Sequence, residues 1–269
     1  MKAWLGDGLV DVSSAGVPLD DHGLTTGDGC FETLKVVDGV PFALTRHLRR
    51  LERSCLGLGL TPLDDALVRE AVAATVSANQ PGVGRLRITV TGGVAPLGST
   101  RGEVPPTLAV LAGPPPAWEP TTAAVVCPWV RNERSAVAGL KTTSYAENVV
   151  ALAWAAERGA TEALLANTRG ELCEGTGTNV FLVLGGRLVT PPLSSGCLAG
   201  ITRELLCELL DVEERPIPMS AVGQAGEAFL TSSTRDVHPL HSLDGRPLPA
   251  PGPLTAAAQA AFAGLPPDP

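Results

Sequence analysis

The segment Glu174-Gly175-Thr176-Gly177-Thr178-Asn179-Val180-Phe181 joins an acidic residue at the end of a strand-like run to a second apolar run. The glycines and threonines between them are typical of a turn. A carboxylate at such a turn is usually just solvated. The sharper alternative is that Glu174 lies against a protonated ring nitrogen of a bound molecule, because a carboxylate favours a nearby cation.

Lys141 follows Gly139-Leu140 and comes just before an apolar stretch that is expected to form a helix. The chain has only two other lysines, Lys2 and Lys35. A solvated loop lysine is the ordinary interpretation. The alternative is a partly desolvated amine, which loses proton affinity and becomes a nucleophile.

Two further segments are rich in small and hydroxyl-bearing residues. Ser194-Ser195-Gly196-Cys197-Leu198-Ala199-Gly200 leads into a helix predicted over 201–210. The first amides of a helix have no internal partner and suit a phosphate, although an ordinary helix cap would look similar. Leu230-Thr231-Ser232-Ser233-Thr234 closes a predicted strand and could bind phosphate oxygens or satisfy a turn.

An amine, an acid for a ring nitrogen and phosphate donors are what pyridoxal phosphate requires of a protein. The sequence resembles the fold-type IV (class IV) pyridoxal-phosphate enzymes, which include branched-chain aminotransferases, D-amino-acid aminotransferases and aminodeoxychorismate lyases. The resemblance covers nearly the whole chain. Five segments in the family's order carry it: Gly27–Thr33, His47–Leu51, Gly139–Lys141, Glu174–Phe181 and Gly200–Arg203.

The resemblance implies a role for each matching residue. Lys141 corresponds to the Schiff-base lysine, Glu174 to the glutamate on the pyridine nitrogen, and Arg50 to the arginine on the cofactor phosphate, which a guanidinium can bind bidentately. Tyr145 also corresponds to a cofactor residue, at a slightly different offset from the family's tyrosine. The residues implied for the same phosphate are Ile201, Thr202, Ser232 and Ser233.

The resemblance favours 4-amino-4-deoxychorismate lyase, an enzyme of folate biosynthesis that releases pyruvate and leaves 4-aminobenzoate. Gly27–Phe31 and Leu140-Lys141 look most like that group. The arginine and histidine expected of D-amino-acid aminotransferases are replaced by Leu97 and Ser99. One Tyr and five Phe leave little aromatic material for a branched-chain pocket. An amino-acid aminotransferase, branched-chain rather than D-specific, is the alternative, and a non-catalytic binding module is the third.

Four residues are candidates for contact with the substrate. Thr33 could donate a proton near the leaving oxygen, although an ordinary strand threonine is the more common interpretation. Arg85 or Arg87 could hold a substrate carboxylate, and the alternative for both is an exposed strand arginine. Phe31 is the fourth candidate. The substrate is expected to be a small-molecule amine.

Composition excludes several classes of protein. Twenty Lys+Arg against 28 Asp+Glu give a net charge of −8 over 269 residues, which argues against sequence-independent nucleic-acid binding. No apolar run approaches the roughly 18–20 residues of a membrane span. The six cysteines form no CxxC pair, so no metal site is expected. The start of the chain has no apolar signal core, which predicts a cytoplasmic protein with reduced, mostly buried thiols. The resemblance implies a homodimer.

The order of elements predicts an α+β chain with two domains. Helices are expected over 46–58, 63–78, 145–158 and 201–210, with strands clustered between them. The four prolines of Ala112–Pro120 indicate a stiff connector. The expected division is a small N-terminal domain over 1–113, a Pro-rich linker over 114–120 and a larger, β-rich, cofactor-binding domain over 121–269. This is the organisation that the resemblance implies.

Overall fold

The computed structural model describes residues 1–269. Its strands are β1 (Lys2–Leu5), β2 (Gly8–Asp11), β3 (Gly29–Val37), β4 (Val40–Pro41), β5 (Arg85–Thr91), β6 (Thr107–Gly113), β7 (Thr122–Arg131), β8 (Glu162–Asn167), β9 (Leu172–Gly175), β10 (Asn179–Leu184), β11 (Arg187–Thr190), β12 (Glu213–Glu214), β13 (Glu227–Ser232), β14 (Asp236–Leu243) and β15 (Arg246–Pro247). Its α-helices are α1 (His22–Thr25), α2 (Leu44–Leu58), α3 (Asp65–Asn79), α4 (Ala146–Ala156), α5 (Ile201–Leu209), α6 (Met219–Val222) and α7 (Pro253–Ala263). None of these helices is long and apolar enough to cross a membrane.

The chain divides into two compact units. Unit 1 comprises residues 1–116, 140–144 and 266–269, and unit 2 comprises residues 117–139 and 145–265. The segment 140–144, which contains Lys141, therefore packs with the N-terminal unit, although the sequence analysis places it in the domain 121–269. The predicted domain limits stay a prediction.

Unit 1 is a six-stranded antiparallel sheet in the order β2-β1-β6-β5-β3-β4. Alternation along β3 sends Cys30, Leu34 and Val36 into the apolar core, where α2 and α3 also contribute buried side chains. The intervening residues Phe31 and Thr33 lie on the other face of the sheet. That face carries most of the unit's predicted site residues.

Unit 2 is built on a nine-stranded mixed sheet in the order β12-β11-β10-β13-β14-β7-β8-β9, with β15 paired to β14. β7 runs parallel to both β8 and β14. Helix α5 packs on β13 and α7 packs on β14. Phe181 and Phe229 stack with 4.8 Å between ring centroids in the core. The expected mixed α and β fold class is therefore confirmed.

The six cysteines are free thiols, and five of them are buried. Cys30 of β3 and Cys55 of α2 lie 3.4 Å apart at Sγ. They pack within the core of unit 1.

Candidate active site

Lys141 is held against β3 and α2 of unit 1. The Phe31 amide donates to the Lys141 carbonyl at 2.9 Å, and the Thr143 amide donates to Gly29 at 2.8 Å. The Lys141 amide in turn donates to the Ser54 hydroxyl of α2 at 3.3 Å. These bonds fix the backbone of a lysine that sequence alone places in an unspecified loop.

Lys141 shares the Phe31 ring with Arg87. The Lys141 Nζ lies 4.4 Å from the ring centroid, and the Arg87 Cζ lies 3.5 Å from it. Arg87 is also the cross-strand partner of Thr33. Partners that are directly opposite project to the same face of a sheet. The structure thus brings together four predicted residues: an amine, a ring, a hydroxyl and a guanidinium.

Arg85 lies on the same face of the sheet, two residues before Arg87 on β5. Its register partners are Lys35 on β3 and Gly113 on β6. Arg85 is exposed, as is Arg87. Of the two predicted arginines, Arg87 is the one placed beside Phe31 and Thr33.

Arg50 lies in a buried cluster with Glu32 and His47. Glu32 accepts from Arg50 Nε at 2.8 Å, from Arg50 Nη2 at 2.6 Å and from His47 Nδ1 at 2.6 Å. Burial alone would raise the pKa of Glu32, but the Arg50 guanidinium and His47 lower it to about 2. Burial also lowers the pKa of His47, against the opposing pull of Glu32. The cluster therefore holds a charged carboxylate on one edge of the Arg50 guanidinium.

Sequence reasoning did not single out Glu32 as a site residue. The signal was available, because Glu32 lies on the inward-facing side of the alternating β3, where an apolar residue is expected. His47 and Arg50 are three apart on α2 and so share one helix face. A buried acid opposite two basic residues on one helix face would have indicated an ion cluster.

Asp28, in the Gly-Asp-Gly segment, anchors the loop between β5 and β6. It accepts from Arg101 Nε and Nη2 at 2.6 Å each and lies 3.1 Å from His22 Nδ1. The Arg101 hydrogen bond lowers the pKa of Asp28. The cation of this loop is therefore Arg101, whereas Leu97 and Ser99 stand where an arginine and a histidine were expected of a D-amino-acid aminotransferase.

Glu174 lies near the end of β9 in unit 2. Its Oε2 accepts from the Leu198 amide at 2.9 Å, and its Oε1 lies 3.4 Å from Arg131 Nε. The Leu198 carbonyl accepts from Asn179 Nδ2 at 2.9 Å. Leu198 therefore links Glu174, the carboxylate predicted to bind the ring nitrogen, to Asn179 at the start of β10.

Four of the residues predicted to bind phosphate belong to α5 and to the end of β13 with the turn after it, two elements that pack together, whereas the fifth, Arg50, lies in unit 1. The helix starts at Ile201 without a side-chain cap from Gly200, and Thr202 is buried in its first turn. Ser232 Oγ accepts from the Arg235 amide at 3.2 Å, so its own proton remains available for donation. The buried Thr231 hydroxyl has no hydrogen-bond partner. An uncapped helix start beside hydroxyl groups suits a phosphate, so the residues of this unit fit the cofactor.

Two further predicted cofactor residues are half-buried in unit 2. Ser233 is half-buried in the turn after β13, and Tyr145 is the half-buried residue that precedes α4. The predicted set is thus divided between the units. Unit 1 holds Phe31, Thr33, Arg50, Arg85, Arg87 and Lys141; unit 2 holds Tyr145, Glu174, Ile201, Thr202, Ser232 and Ser233.

Comparison with known proteins identifies the family. The family model of amino-transferase class IV matches residues 29–243. A putative branched-chain-amino-acid aminotransferase of Methanocaldococcus jannaschii is 34% identical over 256 residues, covering 91% of this chain and 89% of that protein. The crystal structure of a branched-chain aminotransferase from Thermoproteus uzoniensis matches with a TM-score of 0.91 and 30% identity over 98% of this chain and 93% of that one.

A lyase of known structure is similar to this chain to a comparable degree. The 4-amino-4-deoxychorismate lyase from Pseudomonas aeruginosa is 32% identical with a TM-score of 0.84, covering 96% of this chain and 97% of that one. These matches run over nearly the full length of the chain. It belongs to the class IV aminotransferase family and is an enzyme of that pyridoxal-phosphate-dependent class.

Proposed function

We propose that this enzyme is a 4-amino-4-deoxychorismate lyase that carries pyridoxal phosphate on Lys141. The observation that carries the proposal is the Thr33 hydroxyl, which lies opposite Arg87 on the face where Lys141 and Arg87 share the Phe31 ring. A lyase needs a proton donor near its leaving oxygen as well as a base for the carbon that bears the amine. That face supplies both groups.

The residues divide the proposed reaction between them. The Lys141 amine takes the proton from the ring carbon that bears the substrate amine. The bond from the neighbouring carbon to the enolpyruvyl oxygen then breaks, and Thr33 donates a proton toward that oxygen. The released enolpyruvate becomes pyruvate, and the ring is left as aromatic 4-aminobenzoate. No keto acid is consumed.

The cofactor, when bound, supplies an electron sink for the carbanion. Glu174 would hold its ring nitrogen protonated, and Arg50 would meet its phosphate. Tyr145 would contribute a further cofactor contact. The remaining phosphate donors would be Ile201, Thr202, Ser232 and Ser233.

Arg87 is the proposed anchor for a substrate carboxylate. Its guanidinium lies against Phe31 and projects from an exposed strand position, so it can turn toward a bound anion. Arg85 offers a second cation on the same face. Aminodeoxychorismate has two carboxylates, and paired guanidinium groups suit such a substrate.

An amino-acid aminotransferase of the branched-chain type is the second candidate. It is supported by the 34% identity to the Methanocaldococcus jannaschii protein, whose name states that activity. A transaminase transfers the amine of its substrate to the cofactor, and a keto acid must then accept that amine before the next turnover. The requirement for a keto acid therefore separates the two candidates.

A direct assay tests the proposal. Enzyme mixed with aminodeoxychorismate and no keto acid is expected to release equal amounts of pyruvate and 4-aminobenzoate over many turnovers. Pyruvate is measured with a coupled dehydrogenase, and 4-aminobenzoate by chromatography. Absence of turnover, together with rapid exchange between an amino acid and 2-oxoglutarate, would assign the enzyme as an aminotransferase instead.

Thr33 variants test the donor within the same assay. Thr33→Val removes the hydroxyl at nearly constant shape and is expected to lower kcat by roughly a hundredfold, the lower end for a general acid. Thr33→Ser keeps the hydroxyl and serves as the matched control, with kcat within a few-fold of wild type. Equal rates for the valine and serine variants would remove Thr33 from the reaction.

We also propose that the enzyme is a homodimer and that α4 contributes to the contact. Val149, Val150 and Leu152 are 64%, 53% and 40% exposed on this helix. Nearby Trp129 is 44% exposed and packs edge-on against Trp154 of the same helix. Contiguous apolar surface of this kind is typical of a protein interface.

A charge on α4 tests the dimer. Val150→Glu is expected to shift the protein from dimer to monomer in sedimentation velocity, because it buries a carboxylate in the contact. Leu209→Glu is the control, since Leu209 is a similarly exposed apolar residue at the end of α5. A wild-type monomer, or a dimer unaffected by Val150→Glu, would contradict the proposed contact.

A further inference from the structure

Asn179 lies against the loop that precedes α5, beside Leu198 and Gly200. Its Nδ2 donates to the Leu198 carbonyl at 2.9 Å, and the Gly200 amide donates to that same carbonyl at 2.8 Å. Asn179 is a buried residue, with 5% of its surface exposed. The carbonyl that receives these two bonds is therefore fixed in direction.

The Leu198 amide points the other way, to Glu174 Oε2 at 2.9 Å. One residue thus has its carbonyl held by Asn179 and its amide held by Glu174. Three residues later the chain enters the first turn of α5. The position of Leu198 consequently sets the distance between the Glu174 carboxylate and the amides at the start of the helix.

The position of the Asn179 side chain also explains why residue 200 is a glycine. Its φ of −69° and ψ of 135° are accessible to any residue, so the backbone does not require glycine there. A Cβ at this position would instead lie 1.9 Å from Asn179 Oδ1. The absent side chain makes room for the Asn179 amide.

Asn179 also faces an unsatisfied polar atom. Its cross-strand partner on β13 is Thr231, whose buried hydroxyl has no hydrogen-bond partner. Partners in register project to the same face of the sheet. Ser232, a proposed phosphate donor, is the next residue on that strand.

We propose that Asn179 is a positioning residue that holds the phosphate-binding start of α5 at a fixed distance from Glu174, acting through Leu198. The inference rests on the proposed cofactor roles of Glu174 and α5. It assigns to Asn179 no contact with the cofactor itself. Asn179 thereby keeps Glu174 and the start of α5 in a fixed relative position. In the proposed complex these two groups bind opposite ends of the cofactor, the ring nitrogen and the phosphate.

The test compares the affinities of pyridoxal 5′-phosphate and of pyridoxal, which lacks the phosphate. In Asn179→Ala, the preference for the phosphorylated form is expected to fall about tenfold, as for the loss of one aligned hydrogen bond. Pyridoxal affinity should stay within about twofold, since Glu174 and Lys141 remain. A role in stability alone would weaken both ligands equally, and that result would overturn the proposal.

Gly200→Ala provides an independent route to the same defect. The added methyl group displaces the Asn179 amide, so this variant should lose the phosphate preference to the same extent. The double variant Asn179→Ala/Gly200→Ala should show no further loss, because both changes remove one contact. Additive losses would contradict a shared mechanism.

Two matched controls isolate the effect. Gly226→Ala adds a methyl group where the nearest atom is 3.9 Å away, and Gln259→Ala removes an amide that donates to the Val237 carbonyl at 3.2 Å. Both should keep the wild-type ratio of affinities. Wild-type protein that binds neither pyridoxal compound would overturn the proposed function and this inference together. Normal wild-type binding with an unchanged ratio in Asn179→Ala would overturn the inference alone.

Discussion

Lys141→Ala is expected to abolish covalent attachment of the cofactor and to lower kcat by about 10²- to 10⁴-fold or more, since the amine also serves as the proton-transferring base. The bound cofactor should lose the visible absorbance of its lysine adduct. Absorbance spectroscopy and the pyruvate assay measure the two effects separately. The fold should survive, because the backbone bonds of Lys141 to Phe31 and Ser54 do not involve its side chain.

Lys35→Ala is the matched control for this experiment. Lys35 lies on β3 of the same unit, and its Nζ rests 4.3 Å from the Phe42 ring centroid. The variant should keep both the absorbance and the turnover. Borohydride reduction followed by peptide mapping should place the cofactor on Lys141, and a modified Lys2 or Lys35 would refute the assignment.

Local sequence patterns predicted four of the seven helices. The helices expected over 46–58, 63–78, 145–158 and 201–210 correspond to α2, α3, α4 and α5, and each end lies within two residues of the expected one. These signals act between residues that are close in the chain. They need no knowledge of tertiary packing.

The missed elements depend on distant residues. α7 has Gly252 at its start and no side-chain cap of its own; the amides of Leu254 and Thr255 are satisfied by Glu227 of β13. β14 contains Pro239, which argues against an interior strand, yet it pairs with β13 and β7. Neither arrangement is visible in a local pattern.

The residues of the candidate site also fall into those that local sequence predicts and those that depend on distant contacts. Lys141 and Glu174 could be predicted because their segments resemble a family. Asn179 and Glu32 stand within two of the quoted segments, but their roles depend on Leu198 and on α2, which are brought near only by folding. The placement of Lys141 in the N-terminal unit is likewise a tertiary fact, because its partners are β3 and Ser54.

Glu32→Gln is expected to destabilise the protein by roughly 3–5 kcal/mol, the usual cost of breaking a buried ion pair by removing one partner. The Glu32 side chain is fully buried and accepts three hydrogen bonds from Arg50 and His47. A glutamine has a single acceptor oxygen and would turn an NH₂ group toward these donors. Urea unfolding followed by circular dichroism measures the loss. The exposed pair of Asp65 and Arg69 on α3 is the control, and Asp65→Asn should cost less than about 1 kcal/mol.

The pH dependence gives the Glu32 prediction its sign. The folded-state pKa of Glu32 is lowered to about 2 from an ordinary value of 4.5. The ionised carboxylate therefore contributes its full stability above pH 4.5, and this contribution is lost as the pH falls from about 4.5 toward 2. Wild-type stability should fall across that window more steeply than that of Glu32→Gln, which has no carboxyl to protonate. The gap between the two proteins should accordingly be widest near neutral pH and should narrow in acid. Parallel stability curves from neutral pH to pH 3 would show that Glu32 is not the ionised partner of Arg50, and the charge on this buried cluster would have to be reassigned.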